Sequence, residues 1–391
     1  MATRSPPSKS PWSWRSRAFR GLVYQLVAFA VIALVIWFLA SNTLHNMRVR
    51  GIQSGFDFLS QSAGFSIGES LFAFDSAESY WRAFLVGIVN TLRVAVAGIF
   101  LATVLGTLVG VGRFSRNALV RGLCAAYVEC FRNVPVLLHL LMWYLVLTEM
   151  LPSIQDAWKF GPFFLSKGGV NFPVPIWQAG QAWAAGGVVA GVVLAWLYRR
   201  WALKRFEATG IAASMFWAPV AIVIAAGLLG WLAGGAPTLV DSPVKGEFAV
   251  ENGGALTPEF LALLIGLTTY TASFIAEVVR SGIASVPAGQ SEAAAALGLD
   301  RGLDIRLVMM PQALRVVIPP MTNQYLNLTK NSSLAVAIGY PDVVSIANTA
   351  MNQTGRAVEC IAIVMAVYLT LSLLTSAFMN WYNARVAIKE R

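Results

Sequence analysis

The chain has 391 residues, of which 57% are hydrophobic and 12% are charged, and its formal net charge is +10. Soluble domains carry about a quarter charged residues, so this composition excludes a large soluble core and indicates several membrane-spanning helices. The basic residues are spread along the chain and do not gather into one patch interleaved with aromatic residues, which argues against nucleic-acid binding.

The predicted membrane crossings follow one another along the whole chain. A spanning helix needs about 20 mainly apolar residues. Eight segments meet this requirement: Leu22–Ala40, Phe84–Gly112, Leu123–Leu147, Ala182–Tyr198, Ala212–Ala233, Phe260–Val279, Val316–Ile338 and Ala357–Trp381. We therefore predict an all-α polytopic membrane protein. The Ser-, Pro- and Arg-rich first 20 residues are predicted to be disordered, and Leu22–Ala40 to be a retained anchor, not a cleaved signal peptide.

The distribution of Lys and Arg predicts the orientation of these crossings. With a cytoplasmic amino terminus, nineteen of the 29 basic residues fall in cytoplasmic segments and seven on the opposite side, and Arg93, Arg132 and Lys330 lie within crossings. This asymmetry follows the positive-inside rule and supports an even number of crossings. Both termini are therefore predicted to be cytoplasmic.

The predicted loops show no pattern typical of catalysis or ligand binding. The outer loops carry no His, Cys or carboxylates at catalytic or metal-ligand spacing, and the three cysteines have no CxxC spacing. No GxxxxGK[ST] phosphate-binding motif occurs either. We predict no catalytic residue, no metal site and no cofactor bound by this chain.

The cytoplasmic stretch Ser281 to Pro311 is predicted to contain a short helix. Pro287 should stop the incoming helix, and Ser291 is a plausible cap for a new one with Glu292 in its first turn. Gly298 is placed to end that helix in a left-handed conformation, and Pro311 is predicted to close the segment before the next crossing.

The short helix has Ala293, Ala296 and Leu297 on one face, at i, i+3 and i+4. Small side chains let another surface approach the backbone closely. One interpretation is a linker that happens to be helical. The other is a small docking helix that inserts into a groove of a partner protein.

The sequence EAAAALGLDRGLDIRLVMMP resembles the cytoplasmic coupling loop of ABC-importer permeases. Glu292, Ala293, Ala294, Gly298 and Pro311 match that signature in register. Apolar residues, at positions 308 and 310, stand where the signature usually has Ile and Leu. Residues 84–147 and 258–385 resemble permeases for polar and opine-type amino acids, in the larger subfamily for acidic, amide or general L-amino acids.

The resemblance implies a type I importer permease core with an extra first helix and an inserted helical pair. The predicted division is a head, first crossing and outer loop (1–83), an amino-terminal core segment (84–147), the insertion (148–257), a carboxyl-terminal core segment (258–385) with the coupling loop 281–311, and a tail (386–391).

The resemblance also implies the function and the partners. The chain would be the permease subunit of an ATP-driven importer for polar L-amino acids in the bacterial inner membrane, working by alternating access. A cytoplasmic ATPase dimer would bind ATP and Mg²⁺, a periplasmic binding protein would deliver substrate, and a different permease would be the second membrane subunit. The alternative is an ion-coupled secondary amino-acid transporter, which predicts buried acidic ion sites and inverted repeats. Membrane lipid is a further expected contact.

A polar stripe in the seventh crossing is the candidate substrate path. Asn323, Asn327 and Lys330 lie at i, i+4 and i+7, a pattern that should not face lipid. The neighbouring candidates are Gln324, Asn331, Ser332 and Ser333. The stripe is either a hydrogen-bonded contact between subunits or a lining for a zwitterionic substrate, with Lys330 offered to a carboxylate.

Two arginines in other crossings allow separate predictions. Arg93 enters the second crossing from the outer side and could attract a substrate carboxylate or reach the membrane interface. Glu129 and Arg132, three residues apart, are predicted to form an internal ion pair.

Overall fold

The computed structural model describes residues 14, 16–49, 51, 54–210, 213–246 and 250–386, and these residues are mainly helical. The described α-helices are α1 (Arg17–Val49), α2 (Tyr80–Gly112), α3 (Ala118–Arg132), α4 (Val136–Leu145), α5 (Ala179–Thr209), α6 (Trp217–Ala233), α7 (Pro258–Ala284), α8 (Ala288–Ala296), α9 (Arg301–Leu303), α10 (Met310–Asn331), α11 (Val343–Thr354) and α12 (Ala357–Val386). The predicted helical membrane architecture is confirmed.

Within the described residues, five helices are long and apolar enough to cross a membrane: α1, α2, α5, α7 and α12. Two bent pairs satisfy the same requirement jointly, Ala118–Arg132 with Val136–Met150 and Arg301–Ile338 with Val343–Thr354. The shorter apolar helix α6 has 17 residues. Each predicted crossing thus coincides with one apolar helix or one bent pair, while the number of complete crossings stays a prediction.

The predicted crossing Leu123–Leu147 is not one straight helix. Helices α3 and α4 meet at an angle of 104° around Asn133 to Pro135. Pro135 has extended backbone angles, and its ring supplies no amide hydrogen, so the helix cannot continue through it. The segment is therefore a broken span or a re-entrant loop.

The described residues include only part of the two predicted terminal segments. Helix α1 begins at Arg17, inside the head predicted to be disordered, and runs past the predicted end at Ala40 as far as Val49. Residues 1–13 and 15 of the head and residues 387–391 of the tail lie outside the described residues.

The chain forms two compact units, the first of which comprises Met1–Val96 and Arg306–Arg391. Its core joins the loop before α2 to helices α2 and α11. Phe58 and Phe84 are almost completely buried there with Val343. The rings of Phe58 and Tyr80 pack edge to face, with centroids 5.6 Å apart. This packing fixes the loop that precedes α2 against the start of α2.

The second unit comprises Ala97–Ile305 and is organised around α7. Leu263, Leu267 and Ile275 of α7 are fully buried, and α3 and α4 pack against this helix. The carboxyl half of α2 approaches α7 closely: a Cβ atom at Gly106 would lie 2.6 Å from Cγ2 of Ile275. Only glycine permits this helix separation.

The loops that flank α5 and α6 form short strands that were not predicted. These are β1 (Trp158–Phe160), β2 (Phe163–Ser166), β3 (Gly169–Phe172), β4 (Val174–Pro175), β5 (Val240–Asp241), β6 (Val244–Lys245), β7 (Val250–Glu251) and β8 (Gly254–Leu256). An antiparallel sheet has the order β1-β2-β3-β8, and β4–β5 and β6–β7 form two further pairs. Strands of two to four residues are too short to show an alternating pattern in the sequence.

Candidate functional site: an exposed coupling helix and a polar helix face

Helix α8 forms where the short cytoplasmic helix was predicted, but it begins earlier. It starts at Ala288, directly after Pro287, whose extended backbone sets its first turn. Ser291 therefore lies inside the helix and does not cap it, and Glu292 lies beyond the first turn. The sequence prediction placed the start too late because proline is itself well suited to a helix start.

The face predicted for docking is exposed. Ala293, Ala296 and Leu297 point away from the rest of the chain, and the side chain of Leu297 is 81% exposed. Ala294, by contrast, is buried against the chain itself. Ala294 is thus the residue through which the helix packs on its own chain. Leu297 is an exposed apolar side chain beside the small side chains of Ala293 and Ala296.

Gly298 ends α8 as predicted, in the left-handed region with φ of +74°. The amide of Leu299 donates a hydrogen bond of 3.1 Å to the carbonyl of Ala294, which satisfies one of the free carbonyl groups at the helix end. Nothing lies within 4 Å of a Cβ atom built at Gly298. Backbone conformation, and not space, accounts for glycine at this position.

Pro311 was predicted to close the loop, but the structure shows that it does not. The backbone is helical from Arg301 through α9, a π-helical turn at Asp304–Met309 and α10 to Asn331. Pro311 is the second residue of α10 and directly follows the π-helical turn, which interrupts the hydrogen-bond ladder that its ring would otherwise break. Pro311 therefore lies within helical backbone and does not end the coupling loop.

The predicted polar stripe of α10 is on an exposed face. Asn323, Asn327 and Lys330 are all exposed, whereas Leu328 and Thr329 are buried on the side that packs against α12. The side chains of the three polar residues make no hydrogen bond or ion pair within the described part of the chain. They are available to a substrate, to water or to another subunit.

The four neighbouring candidates differ in their surroundings. Gln324 and Asn331 are partly buried beside the stripe. Ser333 is partly buried and donates a hydrogen bond of 2.8 Å to the carbonyl of Lys330. Ser332 is fully buried and donates one of 2.7 Å to the carbonyl of Thr329, so it faces the interior of its unit and not the stripe.

Arg93 is paired inside the chain. Its guanidinium lies 2.5 Å from the carboxylate of Glu69 in the preceding loop. One turn earlier, the amide of Asn90 donates hydrogen bonds to the carbonyls of Glu69 and Pro341. Glu69 therefore already balances the charge that was considered for a substrate carboxylate.

An ion cluster at the end of α7 was missed by sequence reasoning. Glu277 accepts hydrogen bonds from Arg113, at the end of α2, and from Arg280. Arg132 also approaches Glu277, at 3.9 Å, and lies over the ring of Phe274. The predicted Glu129–Arg132 pair is consequently wrong. The i, i+3 spacing of Glu277 and Arg280 was the only sequence signal for this cluster.

The described helices are those of a multi-pass membrane protein. An exposed alanine-rich helix and an exposed polar face on a crossing are features typical of membrane transport components. No group of three or more potential metal ligands occurs in the described residues. Comparison with known families agrees: residues 187–388 match the family described as the binding-protein-dependent transport system inner membrane component.

Relatives of known name extend this match to the whole chain. The general L-amino acid transport system permease protein AapQ of Rhizobium johnstonii is 47% identical over 99% of this chain and 98% of its own. The glutamate/glutamine/aspartate/asparagine transport system permease protein BztB of Rhodobacter capsulatus is 36% identical over 100% of both chains. A solved amino acid ABC transporter with histidines aligns at 17% identity over 78% of this chain and 95% of that one, with a TM-score of 0.46.

The chain belongs to this family of inner-membrane transport components. It is a permease subunit of an ABC importer, as its sequence signature indicated, and not an ion-coupled secondary transporter. It is therefore not an enzyme. ATP is hydrolysed by a separate ATPase subunit, and a binding protein is a further partner.

Proposed function

We propose that this chain carries polar L-amino acids, of acidic and amide type or more broadly, across the inner membrane after delivery by a periplasmic binding protein. The single observation that supports this most strongly is the end-to-end similarity to AapQ, a general L-amino acid permease, at 47% identity. BztB, named for glutamate, glutamine, aspartate and asparagine, has the same extent of similarity. The name of BztB specifies acidic and amide amino acids, and that of AapQ specifies L-amino acids in general.

Helix α8 is proposed to be the contact with the ATPase. Its exposed Leu297 and the shallow surface of Ala293 and Ala296 fit a partner groove that excludes water. Glu292 lies at the edge of this surface and is exposed to a basic partner residue. Because the helix is short and capped by Gly298, a movement of the ATPase would move it as a rigid element.

The continuous helical segment from Arg301 to Asn331 is proposed to carry that movement to the substrate path. It begins three residues after Gly298 and contains Asn323, Asn327 and Lys330 on one exposed face. Pro319 and Pro320 lie within α10 and favour a bend there, and nucleotide closure would reorient the polar face through this helical connection. Lys330 would attract the α-carboxylate or an acidic side chain of the substrate.

The wider assembly and orientation belong to the same proposal. Both termini lie in the cytoplasm, consistent with the positive-inside distribution. A second, different permease faces the exposed polar stripe, and residues 148–257 are an insertion between the core segments 84–147 and 258–385. The pairing of β3 with β8 across α5 and α6 supports treating these residues as one inserted element.

Transport by the reconstituted complex tests this proposal. The chain, its second permease, ATPase and binding protein are placed in proteoliposomes, and uptake of labelled glutamate, glutamine, leucine and arginine is measured with and without ATP. We expect ATP-dependent uptake that requires the binding protein. Uptake that needs an ion gradient and no ATP, or uptake of none of these amino acids, would contradict the proposal.

A substitution in α8 tests the coupling surface separately. Leu297→Asp should lower ATP-dependent uptake at least tenfold, because burying an unpaired carboxylate in a protein groove costs more than about 1.4 kcal/mol. Leu239→Asp is the matched control, since Leu239 is 63% exposed in the loop after α6. Equal effects of the two substitutions would argue against a coupling role for α8.

A further inference from the structure

Helices α5 and α6 form a hairpin that packs mainly on itself. A Cβ atom at Gly191 would lie 2.9 Å from the Cα atom of Val223, so the two backbones are in close contact. Within the described residues neither helix packs extensively against another element. The outward sides of both helices are therefore not covered by another element of the described residues.

A groove runs between the two helices beside the carboxyl half of α5. It has a volume of about 470 Å³. Its apolar lining comprises Val192, Ala195 and Trp196 of α5 and Val220, Val223 and Ile224 of α6. The apolar part of this lining suits a hydrocarbon chain.

One end of the groove is basic. Arg199 lines it directly, one turn after Ala195. The guanidinium of Arg200 lies 4.0 Å from the ring centroid of Trp196, which places a second cation at the same end. Lys204 follows one turn further along the face of Arg200.

The described part of the chain does not neutralise these cations. Arg199, Arg200 and Lys204 have no ion pair within the described residues. Glu207 is the only acidic residue of α5, and α6 has none. A cluster of unpaired guanidinium groups at a membrane edge favours phosphate, because several N–H donors can share its oxygens.

We propose that this groove is a binding site for an anionic phospholipid, with an acyl chain between α5 and α6 and the phosphate at Arg199 and Arg200. Clusters of basic residues beside apolar clefts in membrane helices recognise acidic lipid headgroups in this manner. Neither a soluble phosphate nor a zwitterionic lipid satisfies both halves of the site. The former leaves the apolar groove empty, and the latter carries a cationic headgroup close to the guanidinium groups.

Native mass spectrometry of the intact transporter complex tests the proposal. The complex is equilibrated in mixed micelles with phosphatidylglycerol or with phosphatidylcholine of the same acyl chains, and retained lipid is counted. We expect retention of phosphatidylglycerol over phosphatidylcholine. Arg199→Gln and Arg200→Gln should each weaken retention about fivefold, from about 1 kcal/mol per basic side chain near an anionic membrane surface.

Two further variants separate the headgroup from the acyl chain. Val220→Trp, at an exposed position of the groove, should displace the acyl chain and reduce retention, and Ala195→Leu should do the same if the tryptophan variant folds poorly. Arg116→Gln is the matched control, since Arg116 is an exposed arginine in the loop before α3.

Three results would overturn the proposal. The first is equal retention of both lipids, and the second is an equal loss in the Arg116 and Arg199 variants. The third is that glycerol 3-phosphate displaces the bound lipid completely while the substitutions that fill the groove leave lipid retention unchanged. That result would identify a site for the anionic headgroup alone.

Discussion

The guanidinium of Arg93 lies 2.5 Å from the carboxylate of Glu69, and the Glu69 side chain is only 6% exposed. This pair joins the outer loop to α2 inside the first unit. Removing one partner of a buried pair leaves the other charge uncompensated, at a cost of about 3 kcal/mol or more. A surface pair is worth at most about 1 kcal/mol.

We therefore expect Glu69→Gln to lower the free energy of unfolding by about 3 kcal/mol. The double variant Glu69→Gln/Arg93→Gln should lose less than the sum of the single variants, because neither charge remains unpaired. Titration with sodium dodecyl sulfate measures these free energies. Glu78→Gln, in the more exposed Glu78–Arg82 pair, is the control and should change stability little. Additive effects in the cycle would show that the buried pair contributes no coupling.

Lys330 is expected to determine uptake of substrates that carry extra carboxylates. A hydrogen bond to a charged group is worth about 1.5–3 kcal/mol, so Lys330→Ala should lower glutamate uptake at least about tenfold. Lys330→Arg should retain most of it because the charge is kept. The ATPase activity stimulated by the binding protein should stay near its normal value.

The control for Lys330 is Lys245→Ala, at an exposed lysine of strand β6. If Lys330→Ala lowered uptake of all amino acids and ATPase stimulation equally, the polar stripe would be a contact between subunits and not a substrate lining. Copurification of the second permease with the variant would distinguish these outcomes directly.

The end of α8 allows a prediction that rests on backbone conformation. At a φ of +74°, a β-branched residue costs about 1–2 kcal/mol, while asparagine tolerates the left-handed region. Gly298→Val should therefore lower ATP-coupled uptake several-fold, and Gly298→Asn should lower it much less. The added side chain meets nothing within 4 Å in the chain.

If both Gly298 variants lost uptake equally, contact with the partner, and not the backbone angle, would explain the glycine. If both retained full uptake and ATPase stimulation, α8 would not transmit the movement. Circular dichroism of the purified complex confirms that each variant keeps its helical content.

Much of the architecture could be predicted because apolar length is a strong signal. The exposed face of α8 and the left-handed Gly298 followed from residue spacing and from glycine chemistry. That Asn323 and Lys330 share one helix face followed from helical periodicity, while the role of this face stays a prediction. Each of these features depends on residues close together in sequence.

The failures concern partners that are distant in sequence. Arg93 pairs with Glu69, and Arg132 approaches Glu277, across separations that a single sequence does not reveal. The break at Pro135 is not apparent from apolar length alone, because Leu123–Leu147 is long enough to span although Glu129, Arg132 and Asn133 precede the proline. Pro311 is not a stop, because the π-helical turn before it already interrupts the hydrogen-bond ladder that proline would break.

The close approach of α2 to α7 gives the last prediction. A Cβ atom at Gly106 would lie 2.6 Å from Cγ2 of Ile275 and 2.8 Å from the carbonyl oxygen of Ala272. Gly106→Ala should therefore destabilise the protein by about 1–3 kcal/mol, since a methyl group forced into a packed contact moves backbone atoms.

Gly122→Ala in α3 is the control, because nothing lies within 4 Å of its Cβ position and alanine favours a helix. Titration with sodium dodecyl sulfate should show a loss for the first variant and no loss for the second. Ile275→Val in the Gly106→Ala background should not restore stability, because valine keeps the Cβ and Cγ2 atoms that the added methyl group meets. Equal stability of the two alanine variants would show that α2 and α7 do not depend on this contact.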